Sequence, residues 1–365
     1  MSTEKEPVYQ KLAGLLEHTI RNEALRPGDR VPSVRQFSRQ QRVSVPTALQ
    51  AYALLETRGL IAARPKSGFF VRAQRADLVR EPVHGQVPLK AANPTALSPL
   101  DALLSDHANP HLVPLGAAVP SGELLPGDKL ARSMGAIARQ LGPRSIDYDM
   151  APGSELLRRE LARRSLDYGC ALTADDFIIT AGDTEALSLA LRALCRPGDT
   201  VVVESPTYYG LLDMLRELEL QVLSIRLHGA EGLDLDALEQ ALRRKKVAAC
   251  ALIPNYNNPA GTLMPDANKR RLLEILAARQ VPLIEDDIYG DLQHEGERPR
   301  CVKTFDTQGN VLLCGSFSKS LAPGYRIGYI APGQWYDRVL RLKKVSSLAG
   351  ATLPALAVAE FLRNG

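Results

Sequence analysis

The sequence predicts a multidomain chain: a small domain of helices plus a basic hairpin, followed by a layered α/β domain on a mostly parallel seven-stranded sheet. Three observations predict it. Charge is placed unevenly, with 13 Lys and Arg against 6 Asp and Glu in residues 1–75 (net +7) and 32 against 35 in the rest (net −3). Apolar residues recur at helical spacing between Val8 and Leu55, then give way to two short apolar runs around a basic turn. From about residue 113, strand-like apolar runs alternate with helical patterns. At 365 residues, 45% hydrophobic and 24% charged, the chain has room for more than one domain and a sizeable core, and is not collagen-like, low-complexity or largely disordered. No run of 18 apolar residues predicts a membrane span, and MSTEKEPVYQ lacks the apolar core of a signal peptide, so a cytoplasmic location is expected. Cys170, Cys195, Cys250, Cys301 and Cys314 are odd in number and widely spaced, which predicts neither a disulfide framework nor a metal site.

In the basic head, Val8, Leu12, Leu15, Leu16 and Ile20 share helical spacing, and Leu25-Arg26-Pro27-Gly28-Asp29 is a turn. Ser33 can cap a second helix over Val34–Gln40. Ser44 can cap a third, with Pro46 tolerated in its first turn and a stop near Gly59. Leu60–Ala63 and Gly68–Val71 flank Arg64-Pro65-Lys66-Ser67 as a hairpin with a basic tip. Three helices and such a hairpin make a winged helix-turn-helix plan, whose third helix enters the major groove and whose wing touches backbone or minor groove. The segments LRPGDRVPSVRQFSRQQRVSVPTALQAYALLETRGLI and ARPKSGFFV closely resemble the GntR family of bacterial repressors over about residues 7–72. The resemblance implies double-stranded DNA as partner and puts Arg35, Ser44, Thr47, Lys66 and Gly68 at contact positions. Val45 and Leu49 stand where many members carry Arg, so the usual bidentate reading of guanine is missing.

Residues 73–112, with Pro82, Pro88, Pro94, Pro99 and Pro110 and little periodicity, read as a linker holding at most a short helix over Leu97–Leu104. Strands are predicted beyond it at Phe177–Thr180, Thr200–Glu204, Gln221–Arg226, Val247–Ile253, Val281–Asp286, Val311–Gly315 and Arg326–Ile330. Several are near-continuous apolar runs, as strands buried on both faces require. Helices are predicted at Glu185–Leu194, Leu211–Leu218, Leu235–Arg244 and Asp266–Arg279. Ligands of such sheets bind at the carboxyl ends of strands. Those ends carry Ala181-Gly182-Asp183-Thr184, Ser205-Pro206-Thr207-Tyr208-Tyr209, Asn255-Tyr256-Asn257-Asn258-Pro259, Glu285-Asp286-Asp287-Ile288-Tyr289 and Ser316-Phe317-Ser318-Lys319, the last followed by Arg326.

This ordered set strongly resembles the large domain of fold-type I pyridoxal-phosphate enzymes, the aminotransferase class I/II group, over roughly 113–365. The resemblance implies pyridoxal 5'-phosphate as cofactor. Lys319 matches the lysine that forms the internal aldimine, and Asp286 the carboxylate that keeps the pyridine nitrogen protonated. Tyr289 and Asn258 match donors to the ring's phenolic oxygen, and Tyr208 the aromatic stacked on the ring. Gly182, Asp183, Thr184, Ser316, Ser318 and Arg326 match the phosphate cup. Asp183 departs from the pattern, because a carboxylate repels phosphate; its side chain is expected to turn away or cap the helix. Tyr148, in Tyr148-Asp149-Met150-Ala151-Pro152-Gly153, matches a tyrosine reaching the partner subunit's phosphate, which implies a homodimer with shared sites.

Head, linker and body together resemble the MocR subfamily of GntR-type transcriptional regulators. That implies a dimeric transcription factor that senses an amino compound or amino acid through its cofactor. A true aminotransferase with an appended DNA-binding head is the alternative. A structural DNA-binding protein with a vestigial site is a third reading, which the intact Lys319, Asp286, Tyr289 and Arg326 oppose. The family's enzymes take the arginine that clamps the substrate carboxylate from a smaller C-terminal domain, whereas this sequence ends at Phe361-Leu362-Arg363-Asn364-Gly365. The expected partition is therefore 1–75 head, 76–112 linker and 113–365 body with the small domain missing, and transamination is not expected.

Overall fold

The computed structural model describes residues 7–22, 25–26, 28–64, 67–72, 111–113, 116 and 118–364. Two compact units make up the chain, Met1–Val83 and His84–Gly365. The predicted tip residues Pro65 and Lys66, residues 76–110 of the predicted linker and the Leu97–Leu104 helix lie outside the described residues.

The head has helices α1 (Val8–Arg21), α2 (Val34–Gln40) and α3 (Val45–Thr57), then strands β1 (Ile61–Arg64) and β2 (Gly68–Val71), paired antiparallel. The predicted caps form: the Ser33 hydroxyl accepts the Gln36 N–H and that of Ser44 accepts the Thr47 N–H, each at 3.2 Å. Leu12, Leu16 and Ile20 of α1 pack with Phe37, Ala48, Tyr52, Leu55, Ile61 and Val71 into one core. Val8 and Leu15, expected in the same stripe, stay half exposed. Tyr52 is buried because its O–H donates to the Pro32 carbonyl at 2.5 Å while its ring meets Phe37 and Phe69.

The body is built on an eight-stranded sheet in the order β4-β11-β10-β9-β8-β5-β6-β7. Its strands are β4 (Ile178–Thr180), β5 (Thr200–Ser205), β6 (Gln221–His228), β7 (Gly232–Leu233), β8 (Ala249–Leu252), β9 (Leu283–Asp286), β10 (Val311–Ser316) and β11 (Gly328–Ala331). The run β10-β9-β8-β5-β6 is parallel; β11 is antiparallel to both β10 and β4. The expectation of seven strands is corrected to eight. The extra strand, β7, is two residues long, too short to register as an apolar run, and folds back on β6 through a turn that ends at Gly232, whose φ is +79°. A separate two-stranded sheet pairs β3 (Asp149–Met150) with β12 (Ala349–Gly350).

Helices cover both faces. Asp183–Leu194, Tyr209–Glu217 and Tyr336–Ser346 pack on one face around Val201, Val203 and Ile284, while Leu235–Arg244 and Asp266–Ala277 pack on the other around Val202, Cys250 and Leu283. Gly127–Leu141, Glu155–Ser165 and Thr352–Asn364 enclose a third cluster around Phe177 and Tyr329. The sequence pattern did not announce Glu155–Ser165: it buries only Leu157, Leu161 and Ser165, a narrow stripe in an arginine-rich segment. All five cysteines are buried and free, with Cys170 and Cys301 Sγ atoms 3.3 Å apart. Among the described residues no helix is long and apolar enough to cross a membrane.

Candidate functional site

Strands β8, β9 and β10 are buried along their length, so the chain leaving their carboxyl ends delivers polar side chains into a protected rim. Asp286, the last residue of β9, is 5% exposed and accepts the Ile288 N–H at 3.1 Å through Oδ1. Burial pushes its carboxyl up to about 7, against the pull of the Ile288 N–H, a hydrogen bond from Asp183 and the Lys319 charge. Lys319 follows β10; its Nζ donates to the Ala118 carbonyl at 2.8 Å and stands 6.0 Å from the Tyr289 ring centre. Desolvation lowers the pKa of its ammonium, with Asp286 opposing and Arg326 reinforcing that fall. The Asn258 amide donates to the Tyr289 hydroxyl at 2.9 Å. Tyr208 caps the Tyr209–Glu217 helix with its ring folded over Gly210, where a Cβ would come within 2.4 Å of it; burial pushes the phenol up to about 12.

The second half of the site is a cationic cup. Arg326, in a left-handed conformation, donates to the Ser318 hydroxyl (3.3 Å), the Pro323 carbonyl (3.3 Å) and the Ala181 carbonyl (3.2 Å). Its guanidinium lies over Gly182, whose φ is +75° and where a Cβ would meet Nη2 at 2.3 Å. A Cβ on Gly328 would in turn strike the Gly182 backbone at 2.5 Å. Two glycines thus let backbone, guanidinium and the start of the Asp183–Leu194 helix meet, a place suited to an anion. Ser316 is buried beside them and accepts the Ser318 N–H at 3.3 Å.

The sequence points to twelve cofactor-site residues. The structure gathers Lys319, Asp286, Tyr289, Asn258, Tyr208, Gly182, Asp183, Thr184, Ser316, Ser318 and Arg326 at this rim, Thr184 with its side chain exposed. Asp183 does not cap its helix: it occupies the first turn, 6% exposed, with its carboxyl hydrogen-bonded to Asp286. Tyr148 is not brought to the rim; it stands 77% exposed, between Ile146 at 88% and Met150 at 52%.

Sequence reasoning missed the supports. Glu204, at the end of β5, accepts the Ile253 N–H and the Asn257 amide, both at 2.8 Å, and so anchors the loop that carries Asn258. Asp287 is paired with Arg298 at 2.6 Å and accepts from Asn255 at 2.7 Å. A carboxylate closing an otherwise apolar strand, as Glu204 does, was the available signal. The Ala118 carbonyl had none, because a backbone acceptor leaves no mark in sequence.

In the head, Arg35 is exposed on α2, and Ser44 and Thr47 share a 2.7 Å hydroxyl contact at the start of α3. Gly68 opens β2 at φ +99° with the Arg30 guanidinium beside it. Arg64 lies 4.3 Å from the centre of the Phe70 ring. Lys66 lies outside the described residues. Val45 and Leu49 of α3 are 46% and 52% exposed.

Residues 122–363 match the family of class I and II aminotransferases, and residues 8–71 the gntR family of bacterial regulatory proteins. Over 98% of its length the chain is 39% identical to YjiR of Escherichia coli strain K12, an uncharacterised HTH-type transcriptional regulator, and spans 76% of it. It is 37% identical over 97% of its length to a second such regulator of that organism, YdcR, spanning 75% of it. Among solved structures, LysN, an alpha-aminoadipate aminotransferase of Thermus thermophilus complexed with N-(5'-phosphopyridoxyl)-L-leucine, superposes with a TM-score of 0.63 at 29% identity, over 68% of this chain and 63% of that one. With a GntR-type head joined to an aminotransferase class I/II body, and HTH-type transcriptional regulators similar to it across nearly its whole length, the chain belongs to the MocR-type family of transcriptional regulators.

Proposed function

We propose that the protein is a homodimeric, DNA-binding transcriptional regulator whose body holds pyridoxal 5'-phosphate and senses an amino compound there. The observation that carries the cofactor reading is the pairing of an amine and a carboxylate with an anion cup on one rim: Lys319 and Asp286 at the ends of β10 and β9, Arg326 over a Gly182 that leaves no room for a Cβ. The donor set fits that cofactor. Its phosphate needs the guanidinium, the Ser316 and Ser318 hydroxyls and the helix N–H groups. Its cationic ring nitrogen needs a buried carboxylate, and its phenolic oxygen needs donors such as the Tyr289 hydroxyl and the Asn258 amide. When bound, the cofactor supplies an aldehyde that condenses with amines and a ring that takes up electron density.

The chain's own residues account for the rest. Desolvation keeps Lys319 readier to lose its proton than a solvent-exposed lysine, which is what a nucleophilic amine requires. Tyr208, at the start of the Tyr209–Glu217 helix that follows β5, offers a ring face for stacking. Lys319, held by the Ala118 carbonyl, would be the amine that retains the cofactor, and an amino compound would be recognised at the same end of the rim. Tyr148, exposed in a stretch of chain where Ile146 and Met150 are exposed too, is suited to reach the site of a second copy. DNA is held by the basic head, with Arg35 on phosphate.

The test is uptake of the cofactor by the full chain, read as visible absorbance. The wild type is expected to turn yellow and Lys319→Ala to stay colourless; identical spectra would overturn the reading.

A further inference from the structure

Asp183 stands in the first turn of the Asp183–Leu194 helix, beside the cup, where an ionised carboxylate would repel a phosphate. It is only 6% exposed, and its Oδ1 meets no hydrogen-bond donor among the described residues. Its carboxyl is hydrogen-bonded to that of Asp286. A bond between two carboxyls requires one proton, and the geometry decides which partner carries it. Asp286 accepts the Ile288 N–H and faces the Lys319 ammonium, both of which favour an anion. Asp183 shares the attraction of the cations but accepts no backbone N–H among the described residues, and its Oδ1 is without a donor.

We propose that Asp183 is a positioning residue that stays protonated and donates its O–H to Asp286, leaving Asp286 as the charged member of the pair for the cofactor's ring nitrogen. This rests on the cofactor reading of the same site. Seven titratable or charged groups face Asp183: Asp286, Asp287, Arg326, Lys319, Tyr208, Tyr289 and Cys314. Of these only Arg326 and Lys319 favour its ionisation, and burial with the two neighbouring aspartates outweighs Arg326, holding the Asp183 carboxyl well above the usual carboxylate range. The pair then carries one negative charge to match one cationic ring nitrogen, and presents a neutral acid to the phosphate. The departure from the family pattern at Asp183 thereby becomes compatible with the cup.

The experiment compares wild type, Asp183→Asn and Asp183→Ala as full chains, by pyridoxal phosphate titration between about pH 6 and 9 and by the urea midpoint of the cofactor-free chain over the same range. Asn is a neutral donor of similar shape, so its affinity near neutral pH is expected within about threefold of wild type, and that of Ala about tenfold weaker. As pH rises, the wild-type midpoint is expected to fall relative to that of the Asn variant while the two affinities keep their ratio, because the native state holds a proton that the unfolded chain has lost and each further pH unit makes that uptake costlier. Two results would overturn the proposal: an Asn variant binding about tenfold tighter than wild type at every pH, the mark of an ionised Asp183, or wild-type and Asn midpoints that run parallel throughout. If neither wild type nor variant takes up the cofactor, the cofactor reading fails, while the midpoints still decide whether Asp183 holds the proton.

Discussion

Glu204→Gln should remove a pH dependence of stability built into the support of the site. Glu204 is 1% exposed; its Oε2 accepts from Ile253 and Asn257, and its Oε1 has no partner among the described residues. Burial pushes its carboxyl from 4.5 up to about 7, the two hydrogen bonds opposing and Asp286 adding to the rise. Between those values the native state holds a proton that the unfolded chain has lost, so stability is full below about 4.5 and falls as pH rises through about 7. That difference corresponds to about 3 kcal/mol. Glutamine can keep both accepted bonds with its amide oxygen and cannot ionise; any cost of its unpartnered N–H groups is a constant offset. The variant is therefore expected to gain about 3 kcal/mol on wild type between about pH 4.5 and 8. Urea unfolding followed by tryptophan emission measures this, since Trp335 is the sole tryptophan of the sequence and packs on the core of the body, not of the head. A wild-type-to-variant difference that stays constant within about 0.5 kcal/mol across that range would refute the reasoning.

Gly182→Ala forces a side chain into a glycine-only conformation and against Arg326, and is expected to cost about 1–3 kcal/mol and to abolish cofactor retention; an unchanged urea midpoint and a full complement of cofactor would contradict that. Arg298→Met leaves Asp287 buried without its cation and should lower stability by about 3–5 kcal/mol, so a loss under about 1 kcal/mol in the same unfolding assay would sink the pairing argument. Arg35→Ala should weaken DNA binding about equally on all sequences and reduce the salt slope by about 1, which fluorescence anisotropy over a salt series would show; a sequence-selective loss would contradict a phosphate contact.

Periodicity and strand-end motifs are local properties, and they carried a large part of the reading. The caps of Ser33 and Ser44, the Val34–Gln40 helix and the Leu235–Arg244 helix were legible to the residue, because each is decided within one turn of chain. The parallel strands were legible because burial on both faces leaves continuous apolar runs, and the site residues because chemistry concentrates where those runs end. What sequence could not show is how polar groups are satisfied across the fold. Lys319 finds a carbonyl 201 residues away, Arg326 one 145 residues away, and the Asp183 carboxyl meets that of Asp286 from a different strand end. Tyr148 stands 77% exposed just before β3, a strand whose partner β12 lies about 200 residues further along the chain. Patterning sets which segments become helix or strand, because the period is written in neighbouring residues. Which buried carboxyl keeps a proton depends on donors and charges that only tertiary packing assembles.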